Sequence, residues 1–262
     1  MTPAPLTTVG GAYSAGAGAW AGGPAMVYGR LAELLVAFSP VPVAGRLVLD
    51  LGTGTGLASR AAQAAGGRLV AADLALGMLL EDKPSRPPAA VADALRLPFA
   101  AGAFDIVLAA FALNHLDDPS AGVREAGRVG RNLVASTYAA DDDHPVKAAV
   151  DRALGQAGWE CPDWYPRLKA SMAAWGTVAA ATEAVERGGL RPLLVERVEV
   201  PFAELGPTDM VAWRLGLAHC AGFVAALDPP ARSRLVERAL DELGADPPPL
   251  SRRVIFLAAG RP

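Results

Sequence analysis

Three carboxylates recur early in the chain, each at the end of a short aliphatic run: Asp50, Asp73 and Asp93. Asp50 lies in Arg46–Leu51 (RLVLDL), directly ahead of the turn Gly52-Thr53-Gly54-Thr55-Gly56. Glycines at alternate positions let a backbone turn tightly and let a ligand approach it closely. A dinucleotide fingerprint wants G-x-G-x-x-G/A. Counted from Gly52 its third position is Leu57, and counted from Gly54 it is Ser59. Asp50 would also repel a pyrophosphate arriving at that turn. It suits a cationic group instead, an α-amine or a sulfonium; its competing use is to cap neighbouring backbone amides. Asp73 follows the first glycine by about 20 residues, the spacing at which an acid accepts ribose hydroxyls. A carboxylate there rejects a 2′-phosphate, so the ligand is an unphosphorylated nucleoside. Asp93 offers an acceptor for an exocyclic amine, the Ala94 N–H a donor for a ring nitrogen, and Leu74 and Met78 apolar faces for a base.

These residues need a scaffold that brings strand ends together. Arg46–Leu51, Arg68–Ala72, Ala90–Ala92, Phe104–Phe111 and Asn132–Tyr138 read as buried strands. Helical stretches fall between them, notably about Leu57–Ala65, closed by Gly66-Gly67, and after Pro119. Alternating strands and helices imply right-handed βαβ units and a parallel sheet covered on both faces. Open sheets of that kind bind ligands at the carboxyl ends of their strands. A helix is expected at Met26–Phe38, ahead of Pro40. The second half reads as mostly helical over Ala139–Gly188, with Trp159, Trp164, Tyr165 and Trp175 clustered. A strand is expected at Leu193–Val200, helices at Asp209–Leu227 and Pro230–Leu243, and a closing strand at Val254–Ala258. The helices of this half are expected to cap the open end of the sheet.

Together the motifs VLDLGTGTG (Val48–Gly56), AADLALGMLL (Ala71–Leu80) and ADALRLPFAAGAFDIVLAAFALNHL (Ala92–Leu116) resemble the class I S-adenosylmethionine-dependent methyltransferases. The likeness is closest to the type 11, ubiquinone/menaquinone-biosynthesis-like small-molecule group, and covers roughly Leu47 to Tyr138. It implies a Rossmann-like, doubly wound α/β sheet of order 3-2-1-4-5-7-6, strand 7 antiparallel. It also implies that Asp50, Gly52, Thr53, Gly54 and Gly56 hold the methionine part of S-adenosyl-L-methionine. Asp73 would take the ribose, Leu74 and Met78 the adenine faces, Asp93 and Ala94 its edge. Ala110 and Phe111 would stand near the amino group and sulfonium. S-adenosyl-L-homocysteine would be the product. Two departures stand out. Ala75 replaces a frequent serine, removing a helix cap, and the turn before the fifth strand is shortened to Val129-Gly130-Arg131-Asn132.

A phenol or enol acceptor gains from a general base. Of three histidines, His115 follows the fourth strand and is the candidate. His144, in Asp141-Asp142-Asp143-His144-Pro145, reads as part of a solvated acidic turn rather than a metal site, and no metal is expected. His219 is expected either in the core or on the wall of the acceptor cavity. Tyr13, Trp20, Tyr138, Trp213 and Phe223 are the other expected walls, which imply a hydrophobic small-molecule acceptor of the kind made in specialised metabolism. The Gly/Ala-rich start, carrying Tyr13, is expected to act as a lid.

Composition narrows the partners. The 262 residues are 52% apolar and 19% charged, with a formal net charge of −3. That supports one domain, read as a lid and helix (1–45), a cofactor-binding core (46–138) and a cap with the last two strands (139–262). An acidic balance without a Lys/Arg run excludes a nucleic-acid or anionic-membrane footprint. Cys161 and Cys220 offer neither a disulfide framework nor a metal pair. No charge precedes Arg30 and Leu215–Leu227 is too short to cross a bilayer, so a cytoplasmic protein, monomer or homodimer, is expected. Two other functions share these motifs: a non-methylating binder or cyclase on the same scaffold, and a nicotinamide-dependent oxidoreductase.

Overall fold

The computed structural model describes residues 8–81 and 83–262. Strand β1 (Leu47–Leu51) is flanked in parallel by β2 (Arg68–Asp73) and β4 (Phe104–Ala110). Outside β2 lies β3 (Ala89–Val91); beyond β4 lies β5 (Gly130–Tyr138). The last strand in sequence, β7 (Leu250–Gly260), inserts antiparallel between β5 and β6 (Arg191–Phe202). The seven-stranded order is therefore 3-2-1-4-5-7-6, as the resemblance implied. Register brings the working ends abreast. Asp50 sits opposite Ala71 and Leu108, so Gly52, Asp73 and Ala110 emerge along one edge.

Strand side chains alternate between faces, and both faces here are apolar. Val48, Ile106, Val134 and Phe256 meet α3 (Ala25–Ala37), α4 (Leu57–Ala64) and α7 (Pro145–Gln156) through Leu31, Leu35, Ala62, Val150 and Leu154. Their neighbours Leu49, Val107, Leu133 and Leu257 meet α6 (Pro119–Val129) and α9 (Val178–Arg187) through Val123, Ala126, Ala184 and Val185. Continuous aliphatic runs in the strands follow from this double cover. The shortened turn lets β5 start at Gly130, immediately after α6, at the end of the sheet away from the site.

The start of the chain forms α1 (Val9–Ala15), whose Gly11 N–H is capped by the Thr8 hydroxyl, and α2 (Ala17–Gly22). These helices bridge α5 (Leu76–Leu80) on one side and α11 (Ala218–Ala226) on the other. Over the strand ends also stand α8 (Trp164–Ala174) and α10 (Pro207–Leu215). The last helix, α12 (Pro229–Leu243), packs on α7 and α10.

Three expectations are corrected. The helix expected over Asp209–Leu227 is two helices, because Leu217 is extended (φ −69°, ψ 145°) and breaks the hydrogen-bond ladder. Helix α9 covers the sheet rather than its open end. Trp175 goes with it, buried at 2% exposure on that face and away from the other tryptophans.

Candidate functional site

The carboxyl ends of the strands open into a cavity of about 780 Å³ that runs from β2 to the helices of the cap. Its first half is polar backbone and small residues. Gly52 has φ +68°, and a Cβ there would stand 2.4 Å from the Ala112 Cβ, so the turn closes only without a side chain. Gly54 donates its N–H to Asp73 Oδ2 at 2.8 Å, and Ala75 donates to Asp73 Oδ1 at 2.7 Å. Asp73 thus ties the glycine turn to the start of α5, while the Ser14 hydroxyl accepts the Gly77 N–H at 3.3 Å, the cap that Ala75 cannot make. Burial pushes the Asp73 carboxyl above the ordinary range against the pull of the Gly54 and Ala75 N–H groups. Each oxygen keeps a lone pair for a hydroxyl donor. Leu74, 61% exposed, and buried Met78 line the same end. Asp93 and Ala94 face it from the loop after β3, with Asp93 Oδ1 accepting the Leu95 N–H at 2.9 Å.

Asp50, Thr53 and Gly56 do not line this cavity, contrary to expectation. Asp50 is completely buried, and its Oδ2 accepts the hydroxyls of Thr53 and Ser59, both at 2.6 Å. A carboxylate behind a glycine turn is held by the nearest hydroxyls, so Asp50 and Thr53 brace the turn from below. Gly56 is the left-handed residue (φ +87°) before α4. Desolvation raises the Asp50 carboxyl above its ordinary value.

The second half is aromatic. Phe111 holds a left-handed backbone (φ +52°), rare for a large side chain. Its N–H donates to the Ser136 hydroxyl at 3.1 Å. That geometry sets its ring 4.6 Å from Tyr138 and 5.2 Å from Tyr28. A backbone outlier at such a point is the kind of strain that functional sites retain. His115 closes a single 3-10 turn after β4, and the Tyr13 hydroxyl lies 2.9 Å from its Nε2. Burial lowers the imidazole to about 4, against the backbone carbonyls of Ala112 and Phe111. Burial raises Tyr13 well above 10. Tyr13 is therefore protonated and hydrogen-bonded to a neutral His115. Trp20 packs edge-on to Tyr13 at 5.5 Å.

Trp213 and His219 also line the cavity. The His219 ring stacks on Tyr165 at 3.8 Å, and desolvation lowers it to about 2. Phe223 does not line it: one turn farther along α11, it passes the rim and packs against the core beneath. Residues not anticipated from sequence are Tyr28, Tyr165, Arg214 with Asp151, and Arg252 with Asp142 and Lys147. Asp142 overturns the reading of 141–143 as a solvated turn. Its side chain is 3% exposed and holds Arg252 Nη2 at 2.5 Å and Lys147 Nζ at 2.9 Å. The signal was an arginine pair, Arg252-Arg253, opening an otherwise apolar strand. His144 caps α7: its Nδ1 accepts the Val146 N–H at 3.2 Å and its Nε2 donates to the Pro248 carbonyl at 3.0 Å. Among the described residues no cluster of His, Cys, Asp or Glu is placed to hold a metal. No helix among them is long and apolar enough to cross a membrane.

A doubly wound sheet with a reversed last strand carries, at the carboxyl ends of its strands, one cavity with a glycine-turn half beside an aromatic half. A family model described as a methyltransferase domain matches residues 49–133. The chain is 36% identical over 152 residues to a demethylmenaquinone methyltransferase of Mycolicibacterium vanbaalenii, covering 54% of this chain and 67% of that protein. Haemonchus contortus phosphoethanolamine N-methyltransferase 2, solved with S-adenosylhomocysteine and phosphomonomethylethanolamine, superposes with a TM-score of 0.52. The identity is 19%, over 88% of this chain and 52% of that one. The [4+2]-cyclase SpnF superposes at 0.54, with 18% identity over 89% and 80% of the two chains. The chain belongs to the S-adenosylmethionine-dependent methyltransferase family. That membership sets aside the nicotinamide-dependent reading.

Proposed function

We propose that this chain transfers the methyl group of S-adenosyl-L-methionine to an oxygen, nitrogen or carbon of a hydrophobic small molecule held in the aromatic half of the cavity. The observation that carries the reading is one continuous cavity whose nucleoside-compatible end runs into an aromatic half, with the Tyr13–His115 pair in its wall. The residues at the first end fit the donor. Asp73 has two free lone pairs for the ribose diol, Leu74 and Met78 are apolar surfaces for the base, and Asp93 and Ala94 match an adenine edge in acceptor and donor. The bare backbone at Gly52 and Gly54 leaves room for the methionine portion, while Asp50 acts through the turn it braces.

Bound S-adenosylmethionine supplies an activated methyl group on a cationic sulfur. The chain must then orient the acceptor and exclude water, effects that together reach about 7–11 kcal/mol in well-aligned systems. Phe111, Tyr28, Tyr138 and Trp20 form the dry wall that does so. Where the acceptor is a hydroxyl, its proton passes to the Tyr13 oxygen as Tyr13 gives its own to His115 Nε2. Burial keeps His115 neutral at neutral pH, so its Nε2 lone pair is open to that proton, while the lowered pKa makes it a weaker base than a free imidazole. The relatives' name makes quinol-like acceptors the first to try.

A second reading retains the donor site but not methyl transfer, because the same scaffold carries a cyclase in SpnF. The deciding experiment has two arms. Calorimetric titration with S-adenosylhomocysteine tests the donor end. Incubation with S-adenosylmethionine and a panel of phenols, quinols and amines, read by mass spectrometry for a gain of one methylene, tests transfer. Saturable binding with methylated product supports the proposal. Binding with an isomerised, unmethylated product would favour the cyclase reading, and absence of binding would remove both.

A further inference from the structure

Two arginines reach this cavity from opposite elements, and they differ in one respect. Arg214, on α10, is fully engaged. Its Nε and Nη2 donate to Asp151 at 2.7–3.2 Å, and its Nη1 donates to the Tyr165 hydroxyl at 3.2 Å. Arg252, on β7, is equally buried, at 2% exposure, but is not. Its Nε and Nη2 donate to Asp142 at 3.1 and 2.5 Å. Its two faces are covered by Tyr138 and Trp213, whose ring centres lie 4.2 and 4.4 Å from the guanidinium carbon. Its Nη1 has no partner, and neither does the indole N–H of Trp213, whose ring packs on the guanidinium.

Charge points the same way. Asp142 serves two cations, since it also accepts Lys147 Nζ at 2.9 Å. Of the neighbouring acids, Asp141 turns outward to Arg197 at 2.6 Å. Asp143 is 83% exposed and 3.9 Å from Lys147. The buried cluster therefore carries one positive charge in excess, and a charged donor without an acceptor bears its full desolvation cost. Structures retain such a group where something else satisfies it.

We propose that the methyl acceptor is an organic acid, whose carboxylate accepts from Arg252 Nη1 and the Trp213 indole N–H while its body lies along Phe111 and Tyr138. The proposal rests on the methyltransferase reading and narrows its substrate class. Arg252 would then be a specificity-determining residue: a planar, permanently charged fork already held by Asp142, with one edge left for the ligand.

The test compares 2-naphthoate with its neutral counterpart 2-naphthamide, bound to the protein saturated with S-adenosylhomocysteine and followed by tryptophan fluorescence and calorimetry. The expected result is a carboxylate preference of about tenfold or more. That preference should be abolished in Arg252→Gln and reduced in Arg252→Lys, with S-adenosylhomocysteine affinity retained in both. Equal affinity of the two probes for the unaltered protein overturns the proposal and needs no variant. A preference that survives in correctly folded Arg252→Gln overturns it as well. Should that variant fail to fold, Trp213→Phe, which removes the indole N–H with its five-membered ring and leaves a six-membered aromatic face, is expected to weaken naphthoate binding more than naphthamide binding; equal effects count against it. S-adenosylhomocysteine binding without discrimination sinks this inference alone, whereas no S-adenosylhomocysteine binding sinks the donor reading with it.

Discussion

Asp73→Asn separates a ligand-binding carboxylate from one that merely shapes a turn. In the native chain both oxygens already accept backbone N–H groups, from Ala75 at 2.7 Å and Gly54 at 2.8 Å. An amide replaces one oxygen by a donor, so one of those N–H groups then faces another donor. The structural cost is one hydrogen bond to a charged group, about 1.5–3 kcal/mol, and a melting temperature lower by about 3–12 °C. The cost in binding is larger if the ribose diol donates to this carboxylate. Hydrogen bonds to a charged group contribute about 1.5–3 kcal/mol each, so losing two costs about 3–6 kcal/mol. At about 1.4 kcal/mol per decade, S-adenosylhomocysteine should bind roughly 10²–10⁴-fold more weakly. Isothermal titration with S-adenosylhomocysteine and with its 2′-deoxy analogue completes a double-mutant cycle. The native protein should discriminate strongly between the two ligands, and Asp73→Asn should not. Equal discrimination by both proteins, whatever the absolute affinities, would refute the ribose assignment and leave Asp73 as a turn-former.

Tyr13→Phe should lower kcat on a hydroxyl acceptor by roughly 10²–10⁴-fold, the range of general-base effects. Its S-adenosylhomocysteine affinity should stay within about twofold; an unchanged kcat would remove the proton relay. Gly77→Ala would place a Cβ 2.1 Å from the Ser14 carbonyl oxygen. It should push α1 off α5 at a cost of about 1–3 kcal/mol, seen as a lower melting temperature together with a fall in kcat as Tyr13 leaves His115. Stability should decline between pH 6.5 and 4. His115 is held near 4 and His219 near 2 by burial, both from 6.5. The unfolded chain therefore binds protons first as pH falls, so the stabilisation is complete above 6.5 and is lost progressively toward 4. At about 1.36 kcal/mol per unit, His115 accounts for about 3 kcal/mol of that loss. Urea unfolding of His115→Gln should show a shallower decline over this window than the native protein, and identical slopes would contradict the buried, neutral imidazole.

The donor half of the site was legible in the chain because it is local. Strand, glycine turn, helix and the next acid lie within one βαβ unit, so spacing alone sets Gly52 beside Asp73, and backbone geometry leaves few alternatives. The parallel sheet followed from the alternation of elements, whereas its order, with the late strand at 254–258 reversed, was implied by the family resemblance. Asp50 shows where that reasoning stops: its place in the motif is clear from sequence, but its direction, away from the cavity and onto Thr53 and Ser59, depends on what fills the space behind the turn. The acceptor half depended on the fold throughout. Tyr13 meets His115 across 102 positions and Arg252 meets Asp142 across 110. The helix expected to carry Phe223 into the cavity is broken at Leu217. Such contacts have no period or spacing to betray them, because they arise only when β7 inserts between β5 and β6 and the cap closes over the strand ends. Local hydrogen bonding therefore wrote the nucleoside site into the sequence, whereas the chamber beside it, and the half-satisfied Arg252 in its wall, exist only because distant segments must share one buried volume.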